Sequence, residues 1–250
     1  MKMSTLVVNH HWVDNDLPNS QPSLEEFIPE EFDELPSFLN NNSLSYDPYE
    51  LCKGHAFIIT GMTKTGKTHL VKLLVRRNAM LFNRIFWWSP TANLQNLDFL
   101  PRKSIRNEIT ETALNSLLNG QEKAPYISTL LVLDDVVGSL NMNSKIIERL
   151  ATSPRHYGLT LILVSQNLKK IPVTLRDNAV SIFTAALKEH QITTMHELQS
   201  NFKSVNELKD YLSKYTNGIG KFIRFNLTGD VLVKSHPLQT YDCGKFKILF

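Results

Sequence analysis

The feature that most constrains this 250-residue chain is a glycine-rich segment, Gly61-Met-Thr-Lys-Thr-Gly-Lys-Thr68. It matches the pattern G-x-x-x-x-G-K-[ST] and lies between an apolar run, Ala56–Ile59, and a helical pattern of leucines. A loop in this setting presents backbone N–H groups to the phosphates of a nucleotide. The pattern therefore predicts an ATP-binding P-loop, formed by Gly61, Met62, Thr63, Lys64, Thr65, Gly66, Lys67 and Thr68.

A second apolar run, Leu130–Leu133, ends in the carboxylate pair Asp134-Asp135. Lys67 is expected to reach the β- and γ-phosphates, while Thr68 and Asp134 hold Mg²⁺, Asp134 directly or through water. Asp135 is then placed to orient and deprotonate the attacking water, a role that a hydrolase needs and a kinase does not. The pair lies one strand–helix unit beyond the P-loop, and this spacing strengthens the prediction.

Five further side chains are candidates for the catalytic machinery, and two of them are weaker than the rest. Gln166 ends the apolar run Leu159–Val164, where an amide can sense the γ-phosphate and the lytic water; the alternative is a strand cap. Ser165 and Asn167 are weaker candidates for the same role. Arg155 and Arg176 are candidates for an arginine finger that enters the ATP site of a neighbouring subunit, and Arg155 is favoured.

Apolar strands that alternate with amphipathic helices predict an α/β protein with a mostly parallel sheet flanked by helices. The expected fold is that of a RecA-like (ASCE) P-loop NTPase, with a small C-terminal helix and hairpin. The predicted strands are 56–59, 84–89, 130–133, 159–164 and 180–185, and the predicted helices are 68–80, 105–118, 144–152 and 205–215. The hairpin is predicted to pair residues 221–225 with 230–234.

The chain divides into three parts by composition. Residues 1–50 contain ten acidic side chains and one lysine, lack hydrophobic periodicity, and are predicted to be a disordered tail. Residues 51–190 form the predicted ATPase core, and 191–250 form the C-terminal extension. Residues 51–250 carry a net charge of +12, which suits a polyanionic partner. Ordinary variation in charge explains the contrast between this basic part and the acidic residues 1–50 equally well.

Other features restrict the setting of the protein. The sequence contains no apolar run of transmembrane length, and its N-terminus does not resemble a signal peptide. Two cysteines cannot form a disulfide framework, so a reducing compartment is expected. Trp87 and Trp88 are candidates for base stacking, but core packing is the preferred interpretation because they occupy a predicted strand.

Together these motifs resemble the FtsK/HerA superfamily, and most of all the short genome-packaging ATPases of poxviruses, other large DNA viruses and virophages. The resemblance covers residues 54–190, and its most discriminating part is the segment from Arg155 through Gly158 to Gln166. It implies a ring of five or six subunits that pumps double-stranded DNA into a preformed capsid, with a capsid or portal component as partner. It also implies a site of action in the host-cell cytoplasm, at the viral factory, or in association with the virion.

Three other functions compete with this interpretation. A helicase or AAA-type remodelling ATPase is the nearest, but no helicase motif set follows Gln166. A nucleotide kinase would need an arginine-rich lid, and the Asp134-Asp135 pair argues against it. A P-loop scaffold without turnover ranks last because every motif residue is present.

Overall fold

The structure is a computed structural model and describes residues 49–199, 202–227 and 238–242. Its strands are β1 Ala56–Thr60, β2 Arg84–Trp88, β3 Ile105–Arg106, β4 Thr129–Asp134, β5 Leu159–Ser165, β6 Ala179–Thr184, β7 Lys221–Asn226 and β8 Leu238–Asp242. Its α-helices are α1 Lys67–Arg77, α2 Glu111–Lys123, α3 Lys145–Thr152, α4 Val173–Asn178, α5 Glu189–Glu197 and α6 Val205–Tyr215. The strands form one sheet in the order β3-β2-β4-β5-β1-β6-β7-β8.

The first six strands of that order pair in parallel, and β7 and β8 add an antiparallel edge. Every residue of β1, β4, β5 and β6 is buried, as expected for parallel strands covered by helices on both faces. This confirms the predicted fold class. The register pairs Thr60 with Ser165 and Asp134 with Val164, so the carboxyl ends of β1, β4 and β5 meet at one edge.

One predicted helix begins in the wrong place. Residues 105–118 were expected to be helical, but Ile105 and Arg106 form β3 beside β2, and α2 begins only at Glu111. The Thr110 side chain caps α2 by accepting a hydrogen bond from the Ala113 amide at 3.2 Å. The helix also runs beyond residue 118, its predicted end, and continues through Gly120 to Lys123.

The C-terminal part follows the prediction more closely. Helix α6 has the predicted bounds, and the Ser204 hydroxyl caps it at the Glu207 amide. Strand β7 begins at the predicted residue, Lys221, and ends one residue later than predicted, at Asn226. Within the described residues its antiparallel partner is β8, with Phe222 opposite Tyr241. Residues 230–234, predicted to pair with β7, lie outside the described residues.

The described chain begins with a residue that belongs to the core. Tyr49 is buried, and its carbonyl accepts a hydrogen bond from Asn78 Nδ2 at 2.8 Å, while Asn78 Oδ1 accepts one from the Leu51 amide. Trp87 and Trp88 are buried as well, in agreement with core packing. The predicted tail lies outside the described residues up to position 48. Within the described part of the chain, no helix has the length and apolar character needed to cross a membrane.

Candidate nucleotide site

The P-loop connects β1 to α1, and two of its glycines are required by geometry. Gly61 has φ 150°, and a Cβ atom there would lie 2.7 Å from the Ala185 Cβ. Gly66 has φ 93° and directly precedes α1. The first amides of a helix have no acceptors within the helix, so this turn directs them toward the space that the loop encloses. The backbone therefore has the form that the motif predicts.

A turn from the C-terminal part of the chain lies against the P-loop. The Gly220 amide donates a hydrogen bond to the Thr65 carbonyl at 2.9 Å, and a Cβ on Gly66 would lie 3.3 Å from the Gly220 Cα. Gly220 has φ 83°, a conformation that favours glycine. The start of β7 thus supports the nucleotide loop from one side. No local pattern in the sequence predicted this contact.

The Lys67 side chain lies inside the loop. Its Nζ donates hydrogen bonds to the Gly61 and Met62 carbonyls at 3.0 and 2.7 Å. Burial lowers the pKa of Lys67, and the nearby carboxylates of Asp134 and Asp135 act in the opposite direction. A partly desolvated cation in this position attracts phosphate more strongly than an exposed lysine would.

Asp134 is the centre of the predicted metal site. Its Oδ2 accepts hydrogen bonds from Thr68 Oγ1 at 3.3 Å and from Gln95 Nε2 at 2.9 Å. Burial raises the pKa of this carboxyl, although the bonds from Gln95 and Thr68 partly counter the effect. A hydroxyl and a carboxylate next to the phosphate loop are hard oxygen donors of the kind that Mg²⁺ prefers, so these residues fit the ion.

Gln95 was not predicted as a site residue. It lies after β2, where its Nε2 is also 3.2 Å from Thr91 Oγ1 and 3.4 Å from Ser89 Oγ. Ser89 and Thr91 follow a strand that is adjacent to β4, and polar residues at that edge were a signal available in the sequence. Gln95 orients Asp134 toward Thr68.

Gln166 connects the P-loop to the second carboxylate. Its Oε1 accepts a hydrogen bond from Thr63 Oγ1 at 2.9 Å, and its Nε2 donates one to Asp135 Oδ2 at 3.3 Å. Asp135 itself is exposed and has φ 58°. This left-handed conformation is uncommon in residues other than glycine, and such strained residues are concentrated at functional sites. The three side chains form one polar chain, which supports the sensor role of Gln166 more than a simple strand cap.

The two weaker candidates for that role bond to each other instead. Ser165 Oγ accepts from the Asn167 amide and donates to the Asn167 carbonyl, both at 3.1 Å. The Asn167 side chain caps the following turn at Lys169. Ser165 and Asn167 therefore shape the end of β5, and Gln166 is the residue that faces the site.

The two candidate arginine fingers lie at different places. Arg155 is exposed beside Gly54, where β1 and β5 begin, so roughly 15 Å of strand separates it from the P-loop of its own chain. Arg155 therefore does not reach the P-loop of its own chain, and any action on an ATP site would have to be on that of another subunit. Arg176 lies on α4, beyond Gln166. The finger assignment stays a prediction for both.

Solved structures share this fold. The genome packaging NTPase B204 of Sulfolobus turreted icosahedral virus 2, in complex with AMPPCP, matches with TM-score 0.55 and 15% identity, over 75% of this chain and 96% of B204. B204 of Sulfolobus turreted icosahedral virus, described as the DNA-packaging ATPase, matches with TM-score 0.54 and 14% identity, over 75% of this chain and 97% of B204. The pCW3 conjugation coupling protein TcpA, with ATPγS, matches with TM-score 0.57 and 11% identity, over 76% of this chain and 60% of TcpA. At these identities the likeness establishes the fold.

The sequence itself carries the family assignment. Among curated proteins, none matches the chain. The family model described as poxvirus A32 protein matches residues 39–219, which include the P-loop, Asp134, Asp135, Gln166 and both candidate fingers. This match spans more than two thirds of the sequence and confirms the resemblance to viral packaging ATPases. The chain belongs to the poxvirus A32 protein family.

Proposed function

We propose that this chain uses ATP hydrolysis to move double-stranded DNA into a preformed viral capsid. Its family makes it a viral DNA-packaging ATPase, and the proposal concerns how the described residues perform that work. The observation that carries it is the polar chain from Thr63 through Gln166 to Asp135, beside the Thr68–Asp134 pair. A site with both a metal-binding and a water-activating carboxylate suits hydrolysis.

In this mechanism the backbone of residues 61–68 binds the phosphates of ATP, and Lys67 neutralises charge on the β- and γ-phosphates. Thr68 and Asp134 would hold Mg²⁺, which supplies Lewis-acid polarisation of the phosphoryl oxygens when it is bound. Asp135 accepts a proton from the attacking water. Gln166 orients that water and, through its bond to Thr63, responds to the state of the phosphate loop.

Several finer features belong to the same proposal. Subunits assemble into a ring of five or six, so that Arg155 or Arg176 of one subunit completes the ATP site of the next. The ring binds double-stranded DNA and docks on a capsid or portal component. It acts in the host-cell cytoplasm, at the viral factory, or on the virion. The structure of the genome packaging NTPase B204 in complex with AMPPCP supports ATP as the nucleotide.

The other candidate functions receive less support. Neither a helicase nor an AAA-type remodelling ATPase is favoured by the family match, which is to a viral packaging protein. A nucleotide kinase does not need Asp135 as a base, and a scaffold without turnover does not need the Gln166–Asp135 contact.

The test is the ATPase rate with and without double-stranded DNA, measured together with the mass of the particle in solution. We expect low turnover from the dilute subunit, and stimulation when DNA and ATP promote assembly. Lys67→Ala should abolish turnover and weaken nucleotide binding, because it removes the cation inside the loop. Lys64→Ala, which removes a neighbouring cation of the same loop, serves as the control and should have a smaller effect. An ATPase rate that is the same with and without double-stranded DNA at every protein concentration would contradict the proposal.

A further inference from the structure

A groove of about 550 Å³ lies beside the nucleotide site. One wall is formed by residues 137 and 140–143, which follow β4, and the other by residues 169–173 and Arg176, which follow β5. Neither wall contributes to the P-loop contacts described above. The groove therefore needs an explanation of its own.

The charge of the groove has one sign. Lys169, Lys170 and Arg176 line it, together with the amides of Asn141 and Asn143, and its lining contains no Asp or Glu. Both lysines are exposed, and the ion pairs found among the described residues involve none of the three cations. Arg176 Nε is buried and has no hydrogen-bond partner within the described part of the chain. Buried donors normally have a partner, so the Arg176 Nε–H is a donor for which the described part of the chain supplies no acceptor.

From these observations we propose that the groove binds the phosphate backbone of double-stranded DNA, an inference that rests on the proposed function. The lining contains no aromatic side chain on which a base could stack. Lysine and arginine contacts to phosphate give affinity without reading sequence, which suits a protein that must move along an entire genome.

The position of the groove links it to hydrolysis. Its first wall continues from Asp135 through the short 3-10 turn Val136–Gly138, and its second continues from Gln166 through the turn Leu168–Lys170. Gln166 and Asp135 are themselves hydrogen-bonded at 3.3 Å. A phosphate held between the walls thus contacts the same two segments that carry the lytic residues, so each state of the site can change the grip on DNA.

The experiment measures binding of a short fluorescein-labelled DNA duplex by anisotropy across a salt series, with ATPγS present. The test variant is Lys169→Gln/Lys170→Gln. Two lost phosphate contacts should lower the slope of log K against log salt by about 1.8, and weaken binding at physiological salt by roughly tenfold or more. Nucleotide affinity measured on the same preparation reports whether the ATP site is folded.

The matched control is Arg102→Gln/Lys103→Gln. It removes two adjacent, exposed cations from another 3-10 turn, beside the edge strand β3, and should leave affinity and slope close to those of the wild type. An equal loss in both double variants would mean that only overall charge matters, and the groove would be rejected. Unchanged binding in the Lys169/Lys170 variant would reject it as well. If the wild-type protein does not bind duplex DNA at all, the proposed function fails together with the groove.

Arg176→Gln separates this role from that of a finger. In the groove, Arg176 contributes to DNA affinity, so the variant should bind duplex DNA more weakly and show a smaller salt slope. A finger would instead lose turnover while DNA affinity and slope stay at the wild-type values. That second outcome would remove Arg176 from the groove.

Discussion

At the residue scale, the site depends on a buried carboxylate that is costly to keep ionised. Asp134 is 3% exposed, and burial raises its pKa despite the hydrogen bonds from Gln95 and Thr68. The folded protein without ligand therefore favours the neutral form of this side chain more than the unfolded chain does. A position kept for metal binding at a cost in stability is typical of functional sites.

We predict that Asp134→Asn stabilises the protein in the absence of nucleotide and metal, and abolishes ATP turnover. Because the folded-state pKa is raised, the wild type loses stability as the pH rises through the range from the unfolded pKa to the folded pKa. The variant has no such loss, so its gain in Tm should be present at neutral pH and disappear in acid. Thermal unfolding from pH 3 to pH 8 measures this, with exposed Asp177→Asn as control. An Asp134→Asn protein with a lower Tm at neutral pH would show that burial is not the dominant effect.

At the scale of elements, contacts at the amino ends of β4 and β5, opposite the nucleotide site, hold these two strands in register. Gln121 on α2 donates to the Ile127 and Tyr157 carbonyls at 2.9 and 2.8 Å, and accepts from Thr129 Oγ1 at 3.0 Å. The Thr129 amide donates to the Gly158 carbonyl at 2.9 Å. The register set here determines how Asp134 and Gln166 meet at the opposite edge.

Gly158→Ala should therefore destabilise the fold strongly. Gly158 has φ 57°, and a Cβ there would lie 2.1 Å from the Pro125 carbonyl oxygen, so the backbone must move. We expect a loss of about 2 kcal/mol or more in the free energy of unfolding, measured with denaturant. Gly120→Ala is the control: Gly120 lies inside α2 with no atom within 4 Å of the added Cβ, and should gain up to about 1 kcal/mol. Equal effects of the two substitutions would contradict the assigned conformations.

At the scale of the whole molecule, two predictions concern the proposed subunit contacts and the acidic N-terminal segment. Arg155 lies at the edge where β1 begins and the P-loop follows the end of β1, so a finger from Arg155 must come from another subunit. Residues 1–48 carry nine acidic side chains against Lys2, which leaves the rest of the chain strongly basic. Both features concern contacts that form only in an assembly or with DNA.

The finger prediction is tested by mixing variants. Arg155→Ala should retain nucleotide affinity and lose DNA-stimulated turnover, and Lys67→Ala should lose turnover through its own site. A mixture can restore part of the activity, because some interfaces then combine an intact Arg155 with an intact Lys67. Constant specific activity on dilution, with one subunit per particle, would contradict an intersubunit finger. Full activity in Arg155→Ala, with loss in Arg176→Ala, would assign the finger to Arg176.

Removal of residues 1–48 should leave a folded protein with higher affinity for duplex DNA, because a net charge of −8 is removed from a chain at +3. The cut is placed before Tyr49, since Tyr49 is buried against α1 and its removal would damage the core. Thermal unfolding and anisotropy with labelled DNA measure the two effects. Unchanged or weaker DNA binding by a folded truncated protein would contradict the prediction that the acidic residues 1–48 lower the affinity for DNA.

Sequence patterns predicted the parts of this molecule that depend on local order. The apolar runs that end in Thr60, Asp134 and Gln166 indicated three neighbouring strands and the residues that meet at their ends. The contacts of Gln95 with Asp134 and of Gly220 with the P-loop join residues that are distant in sequence, and no periodicity encodes them. Strand β3 has only two residues and is defined by pairing with β2, so local sequence patterns predict the start of a helix there instead.

The most direct test of the account is movement along DNA, measured by release of a labelled third strand from a DNA triplex. We expect the wild-type protein with Mg-ATP to displace the third strand. No displacement should occur with ATPγS or with Asp135→Asn, which retains Asp134 for the metal but lacks the base for the attacking water. Asp135→Asn should still bind Mg-ATP, so a loss of displacement reports hydrolysis rather than binding. Triplex release by Asp135→Asn at the wild-type rate, or DNA-stimulated hydrolysis by the wild type without any release, would contradict the account.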